Sequence, residues 1–384
     1  MGSAEFFDTK LRGQARPSSR LKFCRDSDVH NAMTLLRSIV SLVRSWKDTG
    51  TYPRPVHGSL SPALAACVLL FVPATSLITQ TTSAATGADL PTAHVVRGAG
   101  LGPGVNLGNA LEAPRGANWG IHLEPGHFTV IKQGGFRHVR IPVRWSDYAA
   151  AQAPYTIEPE FLGKMDGLVD AAQRAGLKVV LNVHHYEGMD QDPTNHVDRW
   201  VAIWKQLAQH YRKQPDSLLF ELLNEPHARL TEDAWNHFFP RALAAVRESN
   251  PKRTVVVGPG NWNNIGALGK LKLPENDQHL LVTVHYYLPF PFTHQGAEWV
   301  KDSDRWMGRK WTGSDEELQA LRKDLDGVAA WAKANQRPIY VGEFGSYRKA
   351  DAESRARWTA AVARECERRA PLPGARLRGD LADA

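Results

Sequence analysis

The sequence predicts an α/β protein built around a single parallel β-barrel, and three observations support this. From about Gly100 onward, short apolar runs alternate with amphipathic helical stretches. The runs are almost continuously apolar, which is typical of parallel strands buried on both faces. Polar residues gather at the carboxyl ends of these runs, where barrels build their active sites, and no glycine-rich phosphate turn follows an early strand.

Seven segments are predicted to be strands, since each is a β-branched or apolar run that ends in polar or turn residues. They cover residues 104–109, 136–143, 177–185, 218–226, 253–261, 279–287 and 338–345. A strand followed by a helix, repeated along the chain, favours a (β/α)8 TIM barrel over an open doubly wound sheet. The 384 residues are ample for such a domain, which needs about 250.

Amphipathic helices are predicted between the strands, at residues 160–176, 197–213, 231–250 and 315–336. Thr231 is a suitable cap for the third helix, and Gly176 can end the first. The first, second and fourth of these helices each have an apolar stripe. The stripe residues are Phe161, Met165, Leu168, Val169, Trp200, Ile203, Trp204, Leu207, Tyr211, Leu318, Leu321, Leu325 and Val328.

We expect the chain to divide into a leader (1–96) with a signal segment and a disordered linker, a catalytic barrel domain (97–370) and an aberrant tail (371–384). The apolar run 60–78 precedes small residues, which predicts a secretory signal cleaved near Ala85. Prolines interrupt this run, so a membrane-spanning helix is disfavoured. We therefore expect a secreted protein without stable membrane association.

Charge and cysteine content exclude several other classes. The net charge of +7 comes from scattered basic residues, which indicates a solvated surface and no nucleic-acid partner. Cys24, Cys67 and Cys366 show neither metal-ligand spacing nor a disulfide framework.

Two predicted strands share one design, an apolar run with a glutamate at its far end. These glutamates are Glu225 in "LFELLNEPH" and Glu343 in "IYVGEFG". Two carboxylates that face each other across a groove are the equipment of a glycosidase, in which one donates a proton to the leaving oxygen and the other attacks the anomeric carbon. Arg140, at the end of its own strand, can hold Glu343 ionised.

Other polar residues lie at the same ends of the strands. They are Asn109, His184, His185, Asn224, His285 and Tyr287. A metal-dependent hydrolase using the three histidines is an alternative, but their spacing matches no metal motif, so we predict no metal. The long loop after the sixth strand supplies Trp299, Trp306 and Trp311, which either stack on sugars or pack the loop against itself.

These motifs resemble glycoside hydrolase family 5, and in particular bacterial endoglucanases of that family that also cleave mannan. The similar segments include "NLGNALEAP", "GFRHVRIPVRWS", "VHHYE", "FELLNEPH", "HYYLPFPFTHQGAEW" and "GEFGSYRKAD". The resemblance implies a retaining endo-β-1,4-glucanase with Glu225 as acid/base and Glu343 as nucleophile. It implies a substrate of β-1,4-glucan, glucomannan or mannan and no cofactor, and we expect a monomer. It implies that the groove is lined by Asn109, Glu112, His184, His185, Asn224, His285, Tyr287, His294 and Trp299, and the strand-end position adds Arg140 to this set.

The chain departs from the family pattern at its end. The family has an eighth strand bearing a tryptophan under the reacting sugar, whereas "APLPGARLRGDLADA" has no strand pattern and no tryptophan. We therefore expect a barrel truncated before the eighth strand, with exposed edges and reduced activity. Two alternatives remain open: a mannanase or xyloglucanase with the same mechanism, and a carbohydrate-binding pseudoenzyme.

Overall fold

Eight parallel strands close into a barrel in the computed structural model, which describes residues 100–369 and the strand at 379–381. The strands are β1 (Gly104–Asn106), β2 (His138–Ile141), β3 (Lys178–Asn182), β4 (Leu218–Glu221), β5 (Val255–Val257), β6 (Leu280–His285), β7 (Ile339–Phe344) and β8 (Gly379–Leu381). Each strand pairs with the next in the chain, and β8 pairs with β1. The predicted (β/α)8 barrel is confirmed.

The expectation that the chain stops before an eighth strand is corrected by β8. This strand pairs with β1 at Val105↔Leu381 and with β7 at Val341↔Gly379. Strand pairing uses backbone groups, so a three-residue segment without apolar alternation can still close the barrel. The exposed edges that we expected on β1 and β7 are therefore covered.

Helices surround the barrel between the strands. They are α1 (Pro125–Gln133), α2 (Pro159–Arg174), α3 (Glu187–Gln191), α4 (Pro193–His210), α5 (Glu232–Arg247), α6 (Asp315–Ala334) and α7 (Ala352–Arg368). Short helical turns occur at Trp145–Tyr148, Gly260–Asn263, Ile265–Lys270, Phe290–Thr293 and Ser303–Trp306. Thr231 caps α5 as predicted, because its hydroxyl accepts a hydrogen bond from the Ala234 amide at 3.3 Å.

The apolar residues form the two layers that a barrel requires. The predicted helical stripes are buried against the outer faces of the strands, except Leu318, which is half-buried. A separate cluster fills the barrel interior and consists of Leu101, Val180, Leu219, Val256, Leu281 and Tyr340. This packed interior leaves the loops at the strand ends as the place for a site.

Several predictions fall on parts of the chain that the structure does not describe. The leader 1–96 with its signal segment, most of the tail 371–384, and two of the cysteines lie outside the described residues. Cys366 lies in α7 as a buried free thiol. Among residues 100–369 and 379–381, no helix is both long enough and apolar enough to cross a membrane.

Candidate active site

Glu343 lies one residue before the end of β7, in a cluster of donors. Its carboxylate accepts hydrogen bonds from Arg140 Nη1 at 2.6 Å and from the Tyr287 hydroxyl at 2.8 Å, and His285 Nδ1 lies 3.5 Å away. Burial alone would raise the pKa of Glu343. The charges of His285 and Arg140 and the two hydrogen bonds outweigh burial, so its pKa lies below the ordinary value. Glu343 is therefore ionised at neutral pH.

Arg140 is the fully buried centre of this polar network. Its Nε and Nη2 each donate to Glu221 at 2.7 Å, in the two-pronged arrangement that fixes a guanidinium most firmly. Its remaining hydrogen bonds go to Asn106 Oδ1 at 3.0 Å, Asn224 Oδ1 at 2.7 Å and Glu343. Because every neighbour is an acceptor, the guanidinium has one orientation, and it fixes the carboxylate of Glu343.

Glu225 lies beyond the strand that carries it. β4 ends at Glu221, so the chain from Leu222 to Pro226 is a turn and not the strand that the sequence predicted. Glu225 has φ of 45°, a left-handed conformation that costs a non-glycine residue free energy and occurs preferentially at functional sites. This turn brings one oxygen of Glu225 within 4.8 Å of an oxygen of Glu343.

His285 joins the two glutamates. Its Nδ1 lies 2.6 Å from Glu225 Oε1, and its Nε2 lies 3.3 Å from the amide nitrogen of Asn263. Burial would lower the pKa of His285, but the charge of Glu343 and the hydrogen bond to Glu225 raise it above the ordinary value. Within the part of the chain that the structure describes, these three side chains are the cluster close enough to share a metal ion.

His184 and His185 follow β3 and face the same mouth of the barrel. Their rings meet edge to face at 4.4 Å, and His184 Nδ1 lies 3.2 Å from the amide nitrogen of Asn182. Burial lowers the pKa of both histidines, that of His184 well below its ordinary value. Both rings are therefore neutral and suit hydrogen bonding to uncharged hydroxyl groups.

Asn109 and Glu112 belong to the loop after β1. The Glu112 carboxylate is buried and accepts hydrogen bonds from the backbone amides of Asn109, Ala110 and Leu111. Burial raises its pKa, and these amides partly offset that rise. Glu112 thus fixes the loop that presents the exposed Asn109, whose φ is 62°.

The loop after β6 carries the remaining predicted residues. The His294 ring stacks on Phe290 at 4.0 Å and meets the Tyr287 ring edge to face at 5.0 Å. Trp299 stands 65% exposed above Tyr347. Of the other two tryptophans of this loop, Trp306 is half-buried beside Phe290, whereas Trp311 is buried in the core and therefore packs the loop itself.

The family model for cellulase, glycosyl hydrolase family 5, matches residues 108–368, which is well over half of the chain. The chain belongs to this family. The match spans the loop after β1 through α7 and includes both glutamates. Membership makes the chain a glycoside hydrolase by class, in agreement with the resemblance seen in the sequence.

Several named relatives and solved structures are similar to the chain. Endoglucanase H of Acetivibrio thermocellus is 35% identical over 258 residues, which are 67% of this chain and 27% of that protein. The chain thus spans about a quarter of that relative's length. The structures of Thermotoga maritima Cel5A in complex with cellobiose and with mannotriose are each 46% identical, with a TM-score of 0.70, over 73% of this chain and 89% of theirs.

Sequence reasoning missed several members of this family 5 site. Glu221 and Asn106 complete the contacts of Arg140, but both lie inside the predicted strands 218–226 and 104–109. Only the three-dimensional pairing shows that they point to the same guanidinium. Trp119 and Trp262 are 44% and 50% exposed beside the site. Their exposure was not visible in the sequence, although a tryptophan directly after a strand was a signal for Trp262.

Proposed function

We propose that the chain is an endo-β-1,4-glucanase that cleaves internal bonds of β-1,4-glucans with retention of anomeric configuration. The observation that carries this proposal is the separation of Glu225 and Glu343, whose nearest oxygens lie within 4.8 Å. Retaining glycosidases place their carboxyl groups about 5–5.5 Å apart, whereas inverting enzymes need about 6.5–9.5 Å to admit a water molecule. The observed separation fits retention.

In the first step, a Glu343 oxygen attacks the anomeric carbon and forms an ester bond with the sugar. The bond to the glycosidic oxygen breaks, and Glu225 transfers its proton to that oxygen. In the second step, Glu225 removes a proton from water as the water oxygen attacks the same carbon. The ester bond breaks, and both carboxyl groups return to their starting states.

The surrounding side chains suit these roles. Arg140 and Tyr287 hold Glu343 ionised and oriented for attack. His285 bonds to Glu225 and lies 3.5 Å from Glu343, so its ring contacts both carboxyl groups while their charges change during the reaction. The exposed faces of Trp299 and Trp262 offer flat apolar surfaces for sugar rings.

Comparison with relatives supports glucan as the substrate class. Relatives with similar sequences are endoglucanases, and one similar protein has been solved with both cellobiose and mannotriose. The second of those complexes favours mannan or glucomannan as a further substrate. A mannanase or xyloglucanase specificity and a binding protein without turnover are the competing proposals that an assay must separate.

The first test is the release of reducing sugar from barley β-glucan, carboxymethyl cellulose and glucomannan. We expect the chain to hydrolyse all three and Glu343→Gln to lose at least about 10³-fold in kcat, because the nucleophile is removed. Glu248→Gln is the matched control, since Glu248 is an exposed partner of Lys205. No hydrolysis by folded protein, with binding retained in Glu343→Gln, would favour the binding protein.

We also propose that the chain is exported, on the basis of the apolar run 60–78 in the sequence, and that it acts as a monomer. Sequencing the N-terminus of protein recovered from culture medium tests export. A mature protein that begins well before Ala85 would contradict the predicted cleavage site. Light scattering tests the monomer.

A further inference from the structure

A buried acid outside the reacting pair lies directly behind the Glu225 turn. Asp190, on the short helix α3, is 6% exposed, and its Oδ1 lies 3.4 Å from both the backbone nitrogen and Nδ1 of His227. Burial raises the pKa of Asp190 to about 7, and the charge of His227 opposes that rise. The chemistry of the two glutamates does not require this acid.

His227 is bound to the turn that carries Glu225. Its Nδ1 lies 2.7 Å from the backbone oxygen of Glu225. A carbonyl oxygen can only accept, so this contact requires a proton on Nδ1. Asp190 Oδ1, 3.4 Å from the same nitrogen, is a second acceptor for that N–H. The pair therefore braces a turn whose left-handed residue is Glu225.

The other side of the His227 ring supports Trp262. The two rings stack with centroids 4.8 Å apart and planes 22° from parallel, and the Trp262 amide donates to the Pro226 oxygen at 3.2 Å. Trp262 is the middle of three successive residues with φ between 52° and 58°. Such a run is costly for residues other than glycine, so contacts from outside must hold it.

These contacts form a closed ring of interactions that begins and ends at Glu225. From Glu225 the ring passes through His227 to Trp262, through the next residue, Asn263, to His285, and from His285 back to the Glu225 carboxylate. A displacement of His227 therefore moves both the exposed indole of Trp262 and the carboxyl group of Glu225.

We propose that Asp190 and His227 are positioning residues that couple binding of the leaving-side sugar on Trp262 to proton donation by Glu225. This inference rests on the proposed function, in which Glu225 protonates the oxygen of the departing sugar. Trp262, which follows β5 and packs against the Glu225 turn through His227, then lies on the side of that departing sugar. The pair acts through Trp262 and Glu225 and does not itself contact the reacting atoms.

The test compares two substrates that differ in their need for this coupling. Cellotetraose has a sugar leaving group that must be protonated, whereas the dinitrophenolate of 2,4-dinitrophenyl β-cellobioside leaves without a proton and without a sugar contact. His227→Phe keeps a ring under Trp262 and removes the Nδ1–H. Asp190→Asn, the second variant, keeps the shape of the Asp190 side chain and replaces its carboxyl group by an amide. We use kcat/KM because it reports the first step, in which the leaving group departs.

We expect both variants to lose about 10-fold to 100-fold in kcat/KM on cellotetraose, as misplaced catalytic groups do, and to change little on the dinitrophenyl substrate. The control is His210→Phe, because His210 bonds to Asp166 at 2.7 Å in a similar pair on the outer helices. Equal losses on both substrates, or no loss on either, would overturn the inference alone. A wild-type chain that cleaves neither substrate would overturn the proposed function, and this inference with it.

Discussion

At the residue scale, the site is a chain of charges in which each side chain fixes the next. Glu221 and Glu343 surround the buried Arg140, and the three together carry one negative charge when both glutamates are ionised. His285, whose pKa is raised by the charge of Glu343 and the hydrogen bond to Glu225, contacts the same carboxylates. A buried charge is tolerated only when it is paired, so the contacts with Arg140 explain why the carboxylates of Glu221 and Glu343 can share one buried network.

His294 gives a test of this electrostatic description through pH. Burial lowers its pKa to about 4, although the charge of Glu343 opposes this. In the unfolded chain the value is about 6.5, so unfolding takes up a proton between those two pH values. The stability from this residue is present above pH 6.5 and is lost as pH falls towards 4.

We therefore expect His294→Phe to flatten the pH dependence of the free energy of unfolding. Between pH 6.5 and 4, the wild type should lose up to about 3 kcal/mol more than the variant. Urea denaturation at several pH values measures the two slopes. Parallel slopes for the two proteins would show that the His294 ring is not buried in its neutral form.

Prediction from sequence succeeded for residues whose strand-end position was visible in the pattern. Arg140, His285 and Glu343 each close an apolar run, and the structure brings them together. Glu221 was not predicted as a site residue because it lies inside its apolar run. Its carboxylate reaches Arg140 only because β3 pairs with both β4, which carries Glu221, and β2, which carries Arg140. Side-chain direction across a closed barrel depends on register and stagger, which single runs do not encode.

At the element scale, β6 and β7 must approach each other closely for the site to form. Gly342 lies in β7, and a Cβ at this position would collide with Thr283 Oγ1 and lie 3.3 Å from His285 Nε2. The Gly342 carbonyl also accepts a hydrogen bond from Asn106 at 2.9 Å. The glycine thus allows the strand carrying Glu343 to lie against the strand carrying His285.

We expect Gly342→Ala to lower both stability and activity. Overpacking of this kind costs about 1–3 kcal/mol, and displacement of His285 should reduce kcat about 10-fold or more. Gly327→Ala is the control, because no atom lies within 4 Å of a Cβ added there in α6. That helical change should be neutral or stabilise by up to about 1 kcal/mol. Thermal melts and β-glucan turnover measure both variants, and equal behaviour of the two would contradict the packing argument.

The end of the fifth strand was predicted wrongly from the sequence. The fifth predicted strand ran to residue 261, whereas β5 ends at Val257 and a left-handed turn follows. Asparagine tolerates such a conformation, but tryptophan rarely adopts it, so no propensity rule would place Trp262 there. The contacts with His227 and Pro226 determine this turn, and they appear only after folding.

At the scale of the whole molecule, barrel closure depends on a very short strand. β8 has three residues, whereas β6 and β7 have six each, and its register against β7 is irregular. A closed barrel has no free edges, but an open one exposes unpaired backbone groups that promote aggregation. The eighth strand was not predicted from the sequence because strands were recognised by their apolar pattern, and this segment has no such pattern.

Removal of β8 should therefore weaken the molecule far more than its length suggests. We expect deletion of residues 379–384 to lower Tm by about 5 °C or more, since roughly 1 kcal/mol corresponds to 2–4 °C in a domain of this size. It should also increase light scattering at the melting transition, because β1 and β7 become open edges. Deletion of residues 382–384 alone retains β8 and is the matched control. If both deletions melt at the same temperature, pairing by Gly379–Leu381 does not stabilise the barrel, and its stability must come from the other seven strands and their helices.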